Sequence, residues 1–439
     1  MISLKTFKRY TTCLISNKYI KIGLCLHSIS FMAGLIIGLN FVFTEYHYFD
    51  FPAFYRSGNL IFSDLNNLYN LSSYPGVYFR YLPFSALLYS FLSLFPIEIA
   101  FVLNAIFKLI INLLVVILMT YLYEHFYSKN GSLDKYFYSL LFAYLVFGAH
   151  VIDYVQGQPN PYLAFLLLIT LYFFESSKRK PKKRFLYNLM GGLCLGIASS
   201  FKLTLFIILP FVLIYSLQNS DLKINISRLL GVFLIIIING FFFLIQPKIL
   251  SDFFILNLEG GFSYLECSFS ISITRMVINS FGFFEIHISP MLIMIIFLVP
   301  FFLLVFNQYL KNYNKNKLLP ELFSLALFIP ILVYIDVWSY QYIISFPFIL
   351  LSMGRLNENL YTFEDFHPQI YNNAKLNLDQ TKKIVNLMDI YIWDLLPAFF
   401  FFILQIPALN IFYTVFSLIL FVRFYNFYKH KFYYDFNDL

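Results

Sequence analysis

The chain has 439 residues, of which 60% are hydrophobic and 12% charged, with 57 Phe and 35 Tyr. Soluble domains carry about 25% charged residues, so this composition, with a mean hydropathy of +0.72, excludes an ordinary water-soluble globule. The net charge of +8 does not point to nucleic acid. Its basic residues sit in short connectors between apolar runs, where they act as cytoplasmic retention signals.

Apolar runs of membrane-crossing length recur along the whole chain. Taking the basic connectors as inside, the N-terminal "KTFKRY" is cytoplasmic and Ile22–Phe43 crosses outward. No small-residue cleavage site follows this run, so it reads as an uncleaved anchor. Residues 44–96 then form an external loop, whose apolar stretch Leu82–Phe95 is short enough to lie along the surface as an interfacial helix. Ile97–Tyr123 returns, Tyr136–Ala149 exits, and "DYVQGQPNP" at 153–161 is an external island. Tyr162–Phe174 brings the chain back to the basic "SSKRKPKKR". Phe185–Ser199 exits to "SFKLT", Leu205–Leu217 re-enters, and Leu229–Ile245 exits to a long external loop at 246–289. Met291–Phe306, Leu319–Ile335 and Ile343–Met353 follow, then a cytoplasmic loop at 354–390 and an apolar run Tyr391–Val422 that can hold a final pair. The expected fold is an all-α, single-domain membrane bundle over 1–439 with about twelve spans. An external first loop carries juxtamembrane helices.

All basic connectors fall on one side of this topology and the unusual polar islands fall on the other. Transporters more often place polar residues near the bilayer midplane on broken helices; an enzyme working at the membrane surface gathers them at one face. Asp50 follows the first span between Phe49 and Phe51, where desolvation raises a carboxylate's pKa and makes it a proton acceptor. The bland reading is an Asp capping the next helix, with Pro52 in its first turn. Arg80 sits among aromatics, where a guanidinium can hold a phosphate or anchor an interfacial helix. Lys202 runs against the positive-inside bias and needs an anionic partner unless it snorkels to the interface. Arg275 is a similar external cation, with Glu266 nearby as a pairing alternative. Gln156, Gln158 and Asn160 supply uncharged donors and acceptors suited to sugar hydroxyls or phosphoryl oxygens, and Gly157 permits a sharp turn. His150 reads as structural. Cys13, Cys25, Cys194 and Cys267 show no CxxC and no metal-ligand spacing, so neither metal nor cofactor is expected.

These motifs, in this order, resemble glycosyltransferase family 87 of the GT-C superfamily, which includes polyprenyl-phosphomannose-dependent mannosyltransferases. "DFPAFYRSG…LY…RYLP" is similar to the family's opening, with Leu82 in place of a proline. "GQPN", the basic loop, Gly192, Gly196 and Lys202 follow its second block; Ser268 and Arg275 fit a third, with Glu266 replacing an Asn. Trp338, Tyr342 and Pro347 fit a final "W-x-HH/HY…P" motif in which Tyr340 or Gln341 replaces His. The resemblance implies inverting sugar transfer from a polyprenyl-phosphate donor to a lipid or glycan acceptor on the extracytoplasmic face. Asp50 would be the general base. Tyr55, Arg80, Gln156, Gln158, Asn160, Lys202, Ser268, Arg275, Trp338 and Tyr342 would line the substrate site. A lipid-linked sugar flippase, a ligase or polymerase of lipid-linked glycans, and a non-catalytic assembly subunit remain alternative readings. Besides donor and acceptor, the partner implied is the lipid bilayer.

Overall fold

A computed structural model describes residues 4–364, apart from 47–48, 71–76, 129–132, 134, 216–218, 259–269, 271, 285, 287–288, 313–318, 335–336 and 338, together with Leu418, Phe421, Val422 and Tyr425. Among the described residues all regular structure is helical. Five helical stretches among the described residues are long and apolar enough to cross a membrane, over residues 18–43, 97–127, 136–156, 221–245 and 290–311, as a multi-pass membrane protein requires. The expected final pair at 391–422 lies almost wholly outside the described residues, so the count of about twelve rests on the sequence alone.

Helix α1 (Leu4–Ser16) precedes the first long helix, α2 (Lys18–Phe43). Asn17 starts α2 by accepting the Tyr19 and Ile20 N–H groups at 2.9 and 3.3 Å, satisfying donors that the first turn leaves orphaned. Helix α3 (Phe51–Ser63) and the short α4 (Pro83–Tyr89) occupy the loop that follows. The expected interfacial helix at 82–95 is two pieces, α4 and a 3₁₀ turn at Leu92–Leu94. Leu88, Phe91 and Leu94 point outward from it, the apolar face a membrane surface would cover. Helix α5 (Ile97–Leu122) runs into a π turn at Tyr123–Tyr127.

The next span is not one helix. It is α6 (Lys135–Leu145) and α7 (Ala149–Gln156), broken at residues 146–148. Asp153 and Gln156, read from the sequence as loop residues, belong to the last turns of α7. The loop shrinks to residues 157–159 before α8 (Asn160–Arg179) begins. Gly157 makes this reversal possible: its φ of 66° is left-handed, a conformation costly for a residue with a Cβ. Its N–H bonds to the Tyr154 carbonyl and that of Gln158 to the Asp153 carbonyl, each at 3.3 Å. This is the Schellman closure of a helix end, and it fixes Gln158 relative to Asp153.

Helix α9 (Arg184–Phe201) leads to a 3₁₀ segment at Leu203–Ile208, then α10 (Leu209–Val212) and α11 (Asn219–Ile245). The expected span at 205–217 is therefore only ~18 Å of helix at these rises. Side chains from other helices stop it. Arg228 donates to the Val212 carbonyl and Tyr309 to that of Leu213. Asn225 bonds both the N–H and the C=O of Ile214, at 2.8 and 2.6 Å. Backbone that leaves a helix inside a bundle needs such partners. Helices α9 and α11 cross with almost no side chain between them. A Cβ on Gly192 would come within 2.2 Å of the Arg228 carbonyl oxygen, and one on Gly231 within 2.3 Å of that of Leu189, the small-residue packing typical of membrane helices.

The remaining helices are α12 (Pro247–Leu258), α13 (Ile273–Phe283), α14 (Pro290–Asn312), α15 (Leu319–Val333) and α16 (Tyr342–Glu364). The segment 246–289, read as a long loop, thus holds two helices. Helix α16 also runs on to Glu364, well into the polar stretch expected to begin at 354. The rest of that loop lies outside the described residues.

Candidate active site

Asp50 is the residue just before α3, with Pro52 in that helix's first turn, and its carboxylate makes no capping hydrogen bond to α3. It turns instead towards the α7–α8 reversal. Gln158 Nε2 donates to Asp50 Oδ2 at 2.5 Å, and the Tyr340 hydroxyl donates to the same oxygen at 3.3 Å. Gln156 Oε1 accepts the Asp50 backbone N–H at 3.1 Å. Three separate parts of the chain thus meet on one carboxyl group: the start of α3, the α7–α8 turn, and the 3₁₀ turn before α16 (Ser339–Gln341).

The carboxyl is packed deep, yet part of the residue's surface stays open. Burial pushes its pKa up to about 6; the hydrogen bonds from Gln158 and Tyr340 and the charges of Lys202 and Arg80 pull in the other direction. Desolvation outweighs them because charge is costly to hold away from water. Lys202 follows the last residue of α9 and is 9% exposed. Its Nζ has no hydrogen-bond partner among the described residues. Burial lowers its pKa to about 7, with Asp153 and then Asp50 raising it. A carboxyl held up and an amine held down, within reach of each other's charge, are both poised near neutral pH. Tyr81, whose hydroxyl pKa burial raises, meets the Gln158 amide from the other side.

Beneath this layer lies a second one, fully buried. Lys108, midway along α5, sits 2.6 Å from Asp153 Oδ2 and also donates to the Asp153 backbone carbonyl. Asn160 Nδ2 holds the other carboxylate oxygen at 2.7 Å. One turn away on each side of Lys108, Asn104 donates to the Gly157 carbonyl at 3.1 Å and Asn112 to the Tyr154 hydroxyl at 2.9 Å. Tyr154 in turn meets His27 Nε2 at 3.0 Å, and Tyr144 donates to Asn112 Oδ1 at 2.7 Å. His150 bonds the Tyr144 carbonyl at 3.0 Å, in keeping with a structural reading of that histidine. The polar stripe Asn104–Lys108–Asn112 pins α7, and with it the turn bearing Gln158.

Of the residues expected at the site, Asp50, Gln158, Lys202 and Arg80 are brought together. Gln156 and Asn160 join the same cluster, but they bind the Asp50 backbone and the Asp153 carboxylate. Tyr55 gives its hydroxyl to the Phe95 carbonyl at 2.8 Å, tying α3 to the chain entering α5. Arg275 is buried in the first turn of α13. That helix start is tied to the segment bearing Tyr340: Thr274 donates to the Val333 carbonyl at 2.6 Å, and Ser270 accepts the Val337 N–H at 2.9 Å. Tyr342 is buried at the start of α16. Ser268, Trp338 and the alternative carboxylate Glu266 lie outside the described residues. Tyr340, Asp153 and Lys108 were not singled out as site residues. Tyr340 stood where a histidine was expected, and the four-residue spacing of Asn104, Lys108 and Asn112 in an otherwise apolar run marks one helix face. Both signals were present in the sequence.

Fold and site together define a multi-pass helical membrane protein that holds a desolvated carboxyl group beside fixed cations. The profile of glycosyltransferase family 87 matches residues 79–329, more than half of the chain; the protein belongs to that family and is a glycosyltransferase. A search of curated proteins finds no match. The matched stretch includes Arg80, Gln158, Lys202 and Arg275, while Asp50 and Tyr340 come from outside it and are carried to it by the fold.

Proposed function

We propose that the protein transfers a hexose, mannose being favoured, from a polyprenyl-phosphate sugar to a hydroxyl of a lipid or glycan acceptor. The reaction takes place on the extracytoplasmic face and inverts the anomeric centre. The observation that carries this reading is Asp50: its carboxylate makes no cap to α3 and has a pKa pushed up to about 6 near the buried Lys202 amine, while part of the residue's surface stays open.

In the reaction the acceptor oxygen bonds to the sugar's C1 as its proton passes to Asp50. The bond from C1 to the phosphate oxygen breaks, and its electron pair leaves with the polyprenyl phosphate. A single displacement of this kind inverts the centre. Charge grows on the phosphate in the transition state, so fixed cations stabilise that state more than the ground state. Lys202 takes this role first, with Arg80 and Arg275 behind it. Gln158 holds the carboxylate in place and leaves its Oε1, buried and without a hydrogen-bond partner among the described residues, to accept from a sugar hydroxyl. The outward apolar face of Leu88, Phe91 and Leu94 guides the prenyl chain. Lys108 and Asp153, buried charges of two spanning helices, pair with each other, which disfavours a transport path.

The test is transfer in liposomes containing the purified protein, a polyprenyl-phosphate hexose and an acceptor lipid, with the product anomer read by NMR. Product of inverted configuration from the lipid donor is expected. Transfer from a nucleotide sugar but not from the lipid donor would overturn the reading.

A further inference from the structure

The Lys108–Asp153 pair lies in two spanning helices, where an ionisable residue is costly and calls for a functional account. Each oxygen of the Asp153 carboxylate is occupied. Oδ2 lies 2.6 Å from Lys108 Nζ, held by charge more than by a directed hydrogen bond, and Oδ1 accepts from Asn160 at 2.7 Å. Lys202 Nζ is buried nearby, under the field of this same carboxylate, and makes no hydrogen bond among the described residues. Asp153 acts on it more strongly than Asp50 does. A buried ammonium beside a buried carboxylate would ordinarily close into an ion pair. Here the carboxylate is already taken.

We infer that Lys108 is a positioning residue that occupies Asp153 so that Lys202 stays unpaired and open to the anionic group of the lipid donor. The inference rests on the reading of Lys202 as a phosphate site. It makes Asp153 a competitor of the substrate phosphate for one amine and Lys108 the group that suppresses the competition. Without Lys108, Asp153 captures Lys202 and the anion site closes. Without Asp153 there is nothing to capture it.

The experiment measures farnesyl phosphate binding by calorimetry at pH 6, where Lys202 is protonated, to the full-length protein in detergent. Lys202→Met is expected to bind weakly, Lys108→Met to lose affinity on the order of tenfold, and Lys108→Met/Asp153→Asn to recover it, a coupling typical of contacting charges. Asp153→Asn alone is expected to bind at least as tightly as wild type, which a purely structural ion pair would not allow. That variant decides the matter if Lys108→Met does not fold. Competitive acetylation of Lys202 is a readout independent of the ligand. Its reactivity should fall in Lys108→Met and return in the double variant. Unchanged farnesyl phosphate affinity in Lys202→Met would remove the phosphate site itself. Weak binding in Lys202→Met together with equally weak binding in Asp153→Asn and in the double variant would leave that site standing and overturn the role of Lys108.

Discussion

Asp50 and Lys202 are tuned towards one another's working range, and this has a consequence for pH. In the proposed reaction the base, Asp50, must be unprotonated, so kcat/KM is expected to rise as pH passes through about 6. The amine must be protonated to hold phosphate, so kcat/KM falls as pH rises through about 7. The expected profile is a narrow bell between these limbs, since kcat/KM reports the free enzyme's groups. Tyr340→Phe removes a hydrogen bond that favours the carboxylate and should move the acid limb upward. Lys202→Met should abolish the alkaline limb and move the acid limb up as well. A profile flat from pH 5 to 8 in wild type would contradict both assignments. Asp50, Gln158 and Lys202 were legible in the sequence because polar groups stand out against apolar neighbours. Tyr340 is marked only by its place in the final motif, since one tyrosine among 35 carries no contrast of its own. The pairing of Lys108 with Asp153, 45 residues apart, is a product of the fold and has no local signature.

At the scale of elements, the site depends on close helix approaches. The crossing of α9 and α11 sets where Lys202 emerges, and Gly192 leaves no room for a methyl group. Gly192→Ala should therefore destabilise the protein by about 1–3 kcal/mol, the usual cost of overpacking. Gly240→Ala, on the same α11 with open space around it, should cost nothing through packing. Thermal melts of the two variants in detergent check this, and equal melting temperatures would contradict it. Long apolar helices were readable from length alone, as α2, α5, α11 and α14 show. The break between α6 and α7 and the early end of α10 were not. The second is fixed by Arg228, Asn225 and Tyr309, which reach the chain from α11 and α14, so no window of neighbouring residues carries the information.

For the whole molecule, the topology expected from the basic connectors places Lys180 in the cytoplasm and Asn59 outside; both residues are exposed. Single cysteines at these positions, in a background without Cys13, Cys25, Cys194 and Cys267, should give impermeant labelling at 59 and protection at 180. The reverse pattern would put the site on the wrong side for the lipid-phosphate donor and extracytoplasmic reaction proposed above. This asymmetry of charge was fully legible in the sequence, and the convergence of the polar islands followed from it in outline. Which hydroxyl or amide touches which carboxyl required the folded chain.

The most direct measurement is the rate of sugar transfer by Asp50→Asn in membranes, at matched protein level, against wild type and Asp64→Asn. Asp64 is exposed at the end of α3 and accepts from Asn67 at 2.6 Å, so its amide variant should transfer sugar normally. Asp50→Asn keeps the size of the side chain and removes the base. It is expected to bind donor nearly as well as wild type and to transfer sugar about 10²–10⁴-fold more slowly. Transfer by Asp50→Asn at the wild-type rate would contradict the account.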